Sequence, residues 1–289
     1  KCLLILTKYL ILNRFDLIIY STPKALLLGS IASFLSLQKK RIALIRGRAY
    51  ENYTGFKRLT YSYFDKLSLL FSHHVFFISQ SLKIKYLEEK LLDKSKAYVI
   101  GQGSSNGVDI EKFSPNKKES KKKFNILIIG RICKDKGFFE LEDIIEKIKD
   151  LPIILNIVGK VEDLESQNLL DYLLKKYSFI SYSQHTTNPV TYFQDADLHL
   201  FLSHREGFGN VAIEAASCGV PTFAYDVIGV QDSVKNNISG LKFKFKDTDE
   251  IASCIRYHIL NPLEYKEKFS NARNWAIENF EQKTVWYNY

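Results

Sequence analysis

The residues best suited to chemistry lie in the segment from Glu206 to Pro221. Glu206 and Glu214 have seven residues between them, and Gly207 and Gly209 follow the first carboxylate. Glycines at a strand-to-helix turn let the backbone pass close to a ligand, and the start of a helix attracts anionic or hydroxyl-rich groups. Because an ionised carboxylate only accepts hydrogen bonds, both glutamates suit the hydroxyl groups of a sugar.

Each glutamate also has a structural interpretation. Glu206 is equally explained as an acid that complements the dipole at the start of the helix expected near Gly209 or Asn210. For Glu214 the alternative is a solvated helix position. That alternative is disfavoured, since the neighbours of Glu214 are nearly all small or apolar.

A second candidate set lies in the stretch from Ile128 to Gly137. Arg131 directly follows an apolar run, and Lys136 comes five residues later. A guanidinium donates a fork of hydrogen bonds and an ammonium acts as a point charge, so the two together suit a diphosphate. Taken singly, each is also an ordinary surface cation.

Together the two segments resemble glycosyltransferase family 4 of the GT-B fold. The similarity is carried by the glutamate pair with its glycines and by the element Gly-Arg-x4-Lys-Gly at 130–137. The first half resembles the acceptor domain of the bacterial branch that builds capsule, O-antigen and related surface glycans. The resemblance implies the α/β class, with two Rossmann-like doubly wound domains facing across a cleft. Because the chain begins at Lys1 and lacks the family's earlier glycine-rich loop, we expect the first domain to be incomplete.

The resemblance also implies an activity. It is retaining, metal-independent transfer of a sugar from a nucleotide diphosphate sugar, with a UDP-sugar the expected donor and no cofactor. The expected acceptor is a glycan or a polyprenyl-diphosphate-linked sugar in bacterial surface polysaccharide synthesis. No side chain is an obvious general base, and the departing diphosphate is expected to take the acceptor proton. The expected contacts are Arg131 and Lys136 for the donor diphosphate; Glu206, Gly207, Phe208, Gly209 and Asn210 for the donor sugar; Glu214 for the nucleotide ribose; and Arg46, Arg48, Glu51, Ser105 and Asn106 for the cleft.

The elements that must hold these residues follow from composition and periodicity. A chain of 289 residues with 46% hydrophobic and 25% charged residues is neither disordered, collagenous nor coiled coil, and its length favours two domains. Short apolar runs alternate with amphipathic stretches, which predicts parallel sheets covered by helices. We expect an acceptor-side domain over 1–107, a linker over 108–123, a donor-binding domain over 124–270 and, over 271–289, a C-terminal helix returning toward the first domain.

Charge is distributed unevenly along the chain. Residues 1–123 hold 23 Lys and Arg against 9 Asp and Glu, a net charge of +14, whereas the remainder carries −5. A basic first half suggests a polyanionic partner such as anionic lipid or a phosphorylated substrate, although a lysine-rich solvated surface is an equal explanation. A cytoplasmic protein, peripheral on the inner face of the cell membrane, is expected, and nucleic acid is not an expected partner.

Two apolar runs, 2–12 and 25–37, are too short to cross a bilayer and are expected to form buried helices. The aromatic residues of the helix expected over 57–71 suit either a membrane interface or the core, and the core is favoured.

Two further features of the sequence bear on metal binding and on the cellular compartment, and two alternative functions remain open. Asp195 and Asp197 form an Asp-x-Asp sequence, but their place between a helix and a strand favours a turn over a metal site. The four cysteines lack metal-site spacing and suit a reducing compartment. The alternative function is a truncated or partner-dependent nucleotide-sugar-binding protein without catalysis, while an epimerase or phosphorylase of similar fold is a minor alternative.

Overall fold

The computed structural model describes residues 1–48, 50–51, 53–116 and 123–289. Ala49 and Asn52 of the expected cleft loop, and residues 117–122 of the expected linker, lie outside the described residues. The chain divides into two compact units, Lys1–Ser105 with Asn288–Tyr289, and Asn106–Tyr287.

The first unit is built on a parallel sheet of four strands in the order β1-β2-β3-β4. The pairing is in register, with Ile18 opposite Arg41 and Ile42 opposite His74. Helices α2, α3 and α4 connect successive strands. The elements are α1 Cys2–Leu12, β1 Ile18–Tyr20, α2 Pro23–Leu35, β2 Arg41–Ile45, α3 Gly55–Leu70, β3 His74–Phe77, α4 Gln80–Glu88 and β4 Ala97–Val99.

Two expectations for helices of this unit are wrong. The run 2–12 does form a helix, but within it only Leu10 is buried, and Leu4 and Leu12 are each more than 70% exposed. The aromatic residues of α3 are not core either, since Tyr63 is 63% exposed. An apolar run therefore predicted the helix correctly but not its burial, because burial depends on which neighbour covers each face.

The second unit contains a parallel sheet of six strands in the order β10-β9-β8-β5-β6-β7. Counted within the unit, this order is 3-2-1-4-5-6, that of a dinucleotide-binding doubly wound sheet. The strands are β5 Phe124–Ile129, β6 Ile153–Val158, β7 Ile180–Ser183, β8 Leu198–Phe201, β9 Thr222–Tyr225 and β10 Gly240–Phe243. The helices are α5 Leu141–Ile148, α6 Leu164–Lys176, α7 Pro189–Asp195, α8 Asn210–Ser217, α9 Val230–Ser233, α10 Thr248–Leu260, α11 Pro262–Lys268, α12 Ala272–Phe280 and α13 Gln282–Asn288.

The strand order switches between β5 and β8, since β6 and β7 lie on one side of β5 and β8, β9 and β10 lie on the other. β5 and β8 are parallel and pair through Ile126 and Leu198. In open α/β sheets, ligands bind beyond the carboxyl ends of the strands at such a switch point. The site is therefore expected where the chain leaves β5 and β8. Asp197 lies at the opposite, amino-terminal edge, where its carboxylate accepts a 2.9 Å hydrogen bond from the Asn125 backbone N–H.

Small residues let α8 pack closely on both sides. Ala215 and Ala216 are fully buried, and Ala216 packs against Ala272 and Ala276 of α12. Residues 262–280 form two helices, α11 and α12, with a break between Lys268 and Ala272. Phe269, between the two helices, is only 4% exposed, so buried apolar residues continue through the break. Hydrophobic periodicity therefore could not locate the break.

The end of the chain contains a second break, between α12 and α13 at Glu281. At this bend Val108 donates a 2.7 Å hydrogen bond to the Phe280 carbonyl and accepts a 2.9 Å one from the Gln282 N–H. The last two residues belong to the first unit, where the Tyr289 hydroxyl donates to the Ser104 carbonyl at 3.2 Å. None of the helices in the described part of the chain is long and apolar enough to span a membrane.

At Gly137 the turn after β5 passes close to the backbone that follows β8. Its φ is +71°, and a Cβ there would overlap the Leu202 carbonyl oxygen. Gly219, at the end of α8, has a similar φ of +73° but no atom within 4 Å of a Cβ position. Substituting each glycine by alanine therefore distinguishes two costs. At Gly219 only the left-handed backbone is unfavourable, whereas at Gly137 a steric clash is added.

We expect Gly137→Ala to lower the free energy of unfolding by about 3 kcal/mol or more, and Gly219→Ala by only about 1 kcal/mol. Both tryptophans, Trp275 and Trp286, lie in the second unit, so urea unfolding followed by tryptophan fluorescence reports on it directly. Equal losses for the two variants would contradict the steric role of Gly137.

Candidate functional site

A cavity of about 270 Å³ lies at the carboxyl ends of β5 and β8, at the switch point of the second unit. It brings together residues from both motifs that the sequence singled out. Its lining residues are Ile128, Ile129, Gly130, Arg131, Ile132, Lys136, Gly137, Phe138, Leu200, Phe201, Leu202, Glu206, Gly209, Asn210 and Val211.

An ion pair between Lys136 and Glu206 joins the two motifs inside this cavity. The Lys136 ammonium donates to Oε1 of Glu206, and the Ser203 hydroxyl donates to the same oxygen at 2.8 Å. Both charged side chains are mostly buried, with 23% and 17% exposed. Two donors therefore hold the Glu206 carboxylate in one orientation. The helix dipole alone does not account for its position.

Asp135 docks the loop after β8 onto the turn after β5. Its carbonyl accepts a 2.9 Å hydrogen bond from the His204 N–H, and its carboxylate accepts one of 2.6 Å from the Arg205 guanidinium. Partial burial alone would raise the pKa of Asp135, but the hydrogen bond and charge of Arg205 outweigh it and lower that pKa below its ordinary value. The loop geometry is thus fixed by contacts outside the cavity.

The start of α8 faces the cavity. Gly209 precedes the helix with φ +91°, and a Cβ there would lie 2.8 Å from the Ser233 hydroxyl oxygen and 2.9 Å from the Phe201 ring. Only glycine fits this turn without displacing its neighbours. The next two residues, Asn210 and Val211, line the cavity, and the positive end of the helix dipole is directed there.

Phe208 and Gly207 are positioned differently from the other predicted sugar contacts. The Phe208 side chain is buried against Phe280, with ring centroids 5.2 Å apart, and neither residue lines the cavity. Phe208 therefore anchors the loop to α12 and leaves only its backbone for ligand contacts.

Arg131 lines the cavity at its open side, with 56% of its side chain exposed. Its Nη1 donates a 2.7 Å hydrogen bond to Oε2 of Glu162. This hydrogen bond raises the pKa of the guanidinium above its ordinary value. Arg131 and Lys136 thus lie on the same cavity, each beside its own carboxylate.

Glu214 lies one turn into α8, outside the lining of the cavity, and is mostly buried. Burial raises the pKa of its carboxyl to about 7, an effect that the nearby Lys112 partly opposes. Among the described residues, none donates a hydrogen bond to this carboxylate. A desolvated acceptor without a donor is the kind of group that a ligand hydroxyl satisfies.

The cleft residues expected in the first unit fall into two groups. Arg46 is exposed, and its guanidinium donates a 2.9 Å hydrogen bond to the Ser105 hydroxyl. The side chain of Arg48 is only 1% exposed, and its guanidinium donates to Glu51 at 2.5 Å and to Glu89 at 2.7 and 3.0 Å. The expectation that Arg48 offers its charge to a ligand does not fit this arrangement, in which the side chain stabilises the loop after β2. Asn106 belongs to the second unit.

Sequence reasoning missed four residues at the site. Ser203, Asp135 and Arg205 hold the loops, and Glu162 pairs with Arg131. Glu162 was detectable in principle, since it follows Gly159 at the end of an expected strand and therefore at the same sheet edge. The pairing of Glu162 with Arg131 could not be predicted, because the strand order is needed to know that β6 lies beside β5.

Histidine and cysteine do not form metal sites in the part of the chain that the structure describes. His199 is buried in β8, and burial lowers its pKa to about 3. His204 bonds to Glu140 at 3.0 Å. All four cysteines are free thiols, with Cys133 and Cys218 buried.

Comparisons with known proteins identify the family of this chain. Residues 109–275 match the family described as Glycosyl transferases group 1. The chain is 32% identical over 277 residues to the capsular polysaccharide biosynthesis glycosyltransferase CapM of Staphylococcus aureus, covering 92% of this chain and 73% of that protein. It is 26% identical over 300 residues to an Escherichia coli enzyme, UDP-Gal:alpha-D-GlcNAc-diphosphoundecaprenol alpha-1,3-galactosyltransferase, covering 97% of this chain and 75% of the relative.

A solved structure has the same fold. The crystal structure of Anabaena HepE in complex with UDP superposes with a TM-score of 0.83 at 20% identity, covering 98% of this chain and 79% of that one. Together with the two parallel sheets and their alternating helices, this confirms the α/β GT-B fold class predicted from the sequence.

We expect Glu214 to make stability depend on pH. A glutamate in an unfolded chain titrates near 4.5, but burial raises the pKa of Glu214 to about 7 in the folded protein. Between these values the folded chain binds more protons than the unfolded chain, so its stability falls as pH rises. The Glu214→Gln variant does not lose this stability. Its free energy of unfolding relative to wild type should therefore rise by about 1–3 kcal/mol between pH 4.5 and pH 8.

Urea unfolding at pH 5 and pH 8 measures this gain. Glu165→Gln, on the exposed first turn of α6, is the matched control and should show no such difference. A Glu214→Gln advantage that is the same at both pH values would contradict the raised pKa.

Proposed function

This chain belongs to the Glycosyl transferases group 1 family and is a glycosyltransferase, and we propose that it uses a nucleoside diphosphate sugar, with a UDP-sugar the expected donor. The proposed acceptor is a glycan or a polyprenyl-diphosphate-linked sugar in bacterial surface polysaccharide synthesis. The observation that carries the proposal is a single cavity at the sheet's switch point containing Arg131, Lys136, Glu206 and the start of α8.

Arg131 and Lys136 are proposed to bind the donor diphosphate. Both cations line the cavity beside the positive end of the α8 dipole, and charge-assisted hydrogen bonds to phosphate are among the strongest in proteins. The charge on the leaving group grows as the glycosidic bond breaks. Cations and helix amides already in place therefore stabilise the transition state more than the bound donor.

Glu206 is proposed to accept hydrogen bonds from hydroxyls of the donor sugar, together with the backbone of Gly207, Phe208, Gly209 and Asn210. Lys136 and Ser203 hold one oxygen of the Glu206 carboxylate, and the other oxygen is left to accept from the sugar. Lys136 would then contact both the sugar-binding carboxylate and the diphosphate. This shared contact fixes the distance between the two parts of the donor.

Glu214 is proposed to accept hydrogen bonds from the nucleotide ribose. Its carboxyl is desolvated, and no described residue donates to it, so a ligand hydroxyl would satisfy an acceptor that the fold leaves without a donor. Ribose binding one turn along α8 from Gly209 would align the nucleotide with the helix.

The proposed reaction retains the anomeric configuration. The bond from the anomeric carbon to the diphosphate oxygen breaks, and a bond from that carbon to the acceptor oxygen forms. The hydroxyl proton passes to an oxygen of the departing nucleoside diphosphate. We propose that no metal is required, because the two cations and the helix start supply the positive charge that the leaving group needs.

On the acceptor side, Arg46 and Ser105 of the first unit are proposed to contact the acceptor, and the expected contact of Asn106 stays a prediction. Its guanidinium is exposed and bonded only to a neutral hydroxyl among the described residues, so its charge is available to a phosphate. The Escherichia coli relative is named for a diphosphoundecaprenol-linked acceptor. For Arg48 and Glu51 the proposed role is to hold this loop in place.

Association with an anionic membrane surface is proposed through α3. Four apolar residues spaced three, four and seven apart lie on one side of this helix, and each is at least 63% exposed. They are Phe56, Leu59, Tyr63 and Leu70. Lys57 and Lys66 flank this stripe, and the surrounding half of the chain is strongly basic, which fits anionic headgroups.

Calorimetric titration with UDP and GDP, with and without EDTA, tests the donor site. Binding of one nucleoside diphosphate that is insensitive to EDTA is expected. Release of UDP from UDP-galactose in the presence of GlcNAc-diphosphoundecaprenol then tests transfer with the substrates for which the relative is named. Binding without transfer to this or other lipid-linked sugars would favour the alternative, a partner-dependent nucleotide-sugar-binding protein.

Removing either cation should weaken nucleoside diphosphate binding. We expect Arg131→Ala and Lys136→Ala each to lower the affinity about 10- to 100-fold, the loss of one charge-assisted hydrogen bond. Lys134→Ala is the matched control, since Lys134 lies in the same short turn but is exposed and outside the cavity. Equal affinities for all three variants would refute the diphosphate assignment.

Replacing the exposed stripe of α3 should release the protein from anionic vesicles. We expect Phe56→Ser, Leu59→Ser and Tyr63→Ser combined to lower binding to phosphatidylglycerol vesicles about 10-fold or more, because apolar area no longer enters the bilayer. Sedimentation with vesicles measures this. Leu164→Ser with Leu263→Ser is the control, since both leucines are at least 75% exposed in the second unit. If the α3 variant sediments with vesicles like wild type, as the control should, α3 is not the membrane contact. The same conclusion follows if Leu4→Ser with Ile5→Ser in α1 abolishes binding by itself.

A further inference from the structure

The ion pair between Arg131 and Glu162 connects the cavity with the loop after β6. Arg131 lines the cavity, whereas Glu162 approaches the guanidinium from the loop after β6, outside the lining. Among the described residues, Glu162 is the ion-pair partner of Arg131. The guanidinium is therefore shared between the cavity and a carboxylate at its edge.

The backbone places Glu162 beside Arg131. The parallel pairing of β5 and β6 continues past the ends of both strands, with the Ile132 N–H donating to the Lys160 carbonyl at 2.9 Å and the Glu162 N–H donating to the Ile132 carbonyl at 3.1 Å. Gly159 permits this approach, because a Cβ there would overlap the Gly130 carbonyl oxygen. Both loops are thus held together at the main-chain level.

The side chains of the pair are nevertheless free to exchange partners. Arg131 is 56% exposed and Glu162 is 38% exposed, so the pair is only weakly stabilised in water. A diphosphate presents more negative charge than one carboxylate and accepts a bidentate hydrogen bond from the guanidinium.

We propose that Glu162 is a counter-ion that Arg131 exchanges for the diphosphate, and that it weakens nucleoside diphosphate binding and speeds its release. This inference rests on the proposed diphosphate role of Arg131. While the cavity is empty, Glu162 holds the guanidinium at its edge. When the diphosphate is bound, the guanidinium contacts the ligand instead, and water hydrates the displaced carboxylate. Glu162 is therefore a positioning residue that acts through Arg131.

Glu162→Gln tests the proposal by a gain of affinity, which a misfolded variant would not show. The probe is UDP or GDP, whichever the wild-type chain binds in calorimetry. We expect about five-fold tighter binding at low salt, a smaller gain at high salt, and slower dissociation in stopped-flow displacement. Glu165→Gln removes the same charge three residues away and should leave the affinity unchanged.

The Arg131→Ala background separates the possible failures. There, adding Glu162→Gln should change the affinity less than two-fold, since the exchange partner is missing. If Glu162→Gln alone leaves the affinity unchanged or weakens it, while Arg131→Ala still weakens binding, the counter-ion role is overturned and the proposed function stands. If Arg131→Ala does not weaken binding, the diphosphate assignment itself is wrong and this inference falls with it.

Discussion

The site of the second unit depends on the contact between the turn after β5 and the loop after β8. Gly137 allows the two backbones to touch at Leu202, and Asp135 then fixes the loop through Arg205 and the His204 N–H. Lys136, next to Gly137 in the same turn, donates to Glu206 of the loop that these contacts hold. Close backbone packing at one glycine therefore helps to bring the two charged side chains of the cavity together.

In the first unit, a buried cation stabilises the loop that carries Arg46. The Arg48 guanidinium has two carboxylate partners and lies over the rings of Tyr50 and Tyr86, at 5.0 and 5.7 Å from their centroids. A buried guanidinium is tolerated only when its donors are satisfied, and removing a partner leaves an uncompensated charge. Two arginines two residues apart thus differ completely in role, because one points into the fold and the other into solvent.

The sequence predicted the strands well, because parallel strands covered by helices on both faces are continuous apolar runs. It also identified Arg131, Lys136, Glu206 and Asn210, which share the cavity, since glycines and charges after strand ends are local signals. It could not predict the burial of Arg48, the exposure of α1 and α3, or the partner of Arg131. Each of these depends on which elements become neighbours, and residue spacing along the chain does not contain that information.

Both cations of the cavity have carboxylates beside them, and the two pairs differ in a way that bears on function. Lys136 and Glu206 are mostly buried and held by Ser203, so separating them would leave desolvated charges. Arg131 and Glu162 are exposed, and water compensates both charges when they part. The proposed diphosphate ligand would bind and leave in every cycle, and the two pairs would serve it differently. The buried pair would keep the geometry constant, while the exposed pair would open at little cost and make the positive charge of Arg131 available to the ligand.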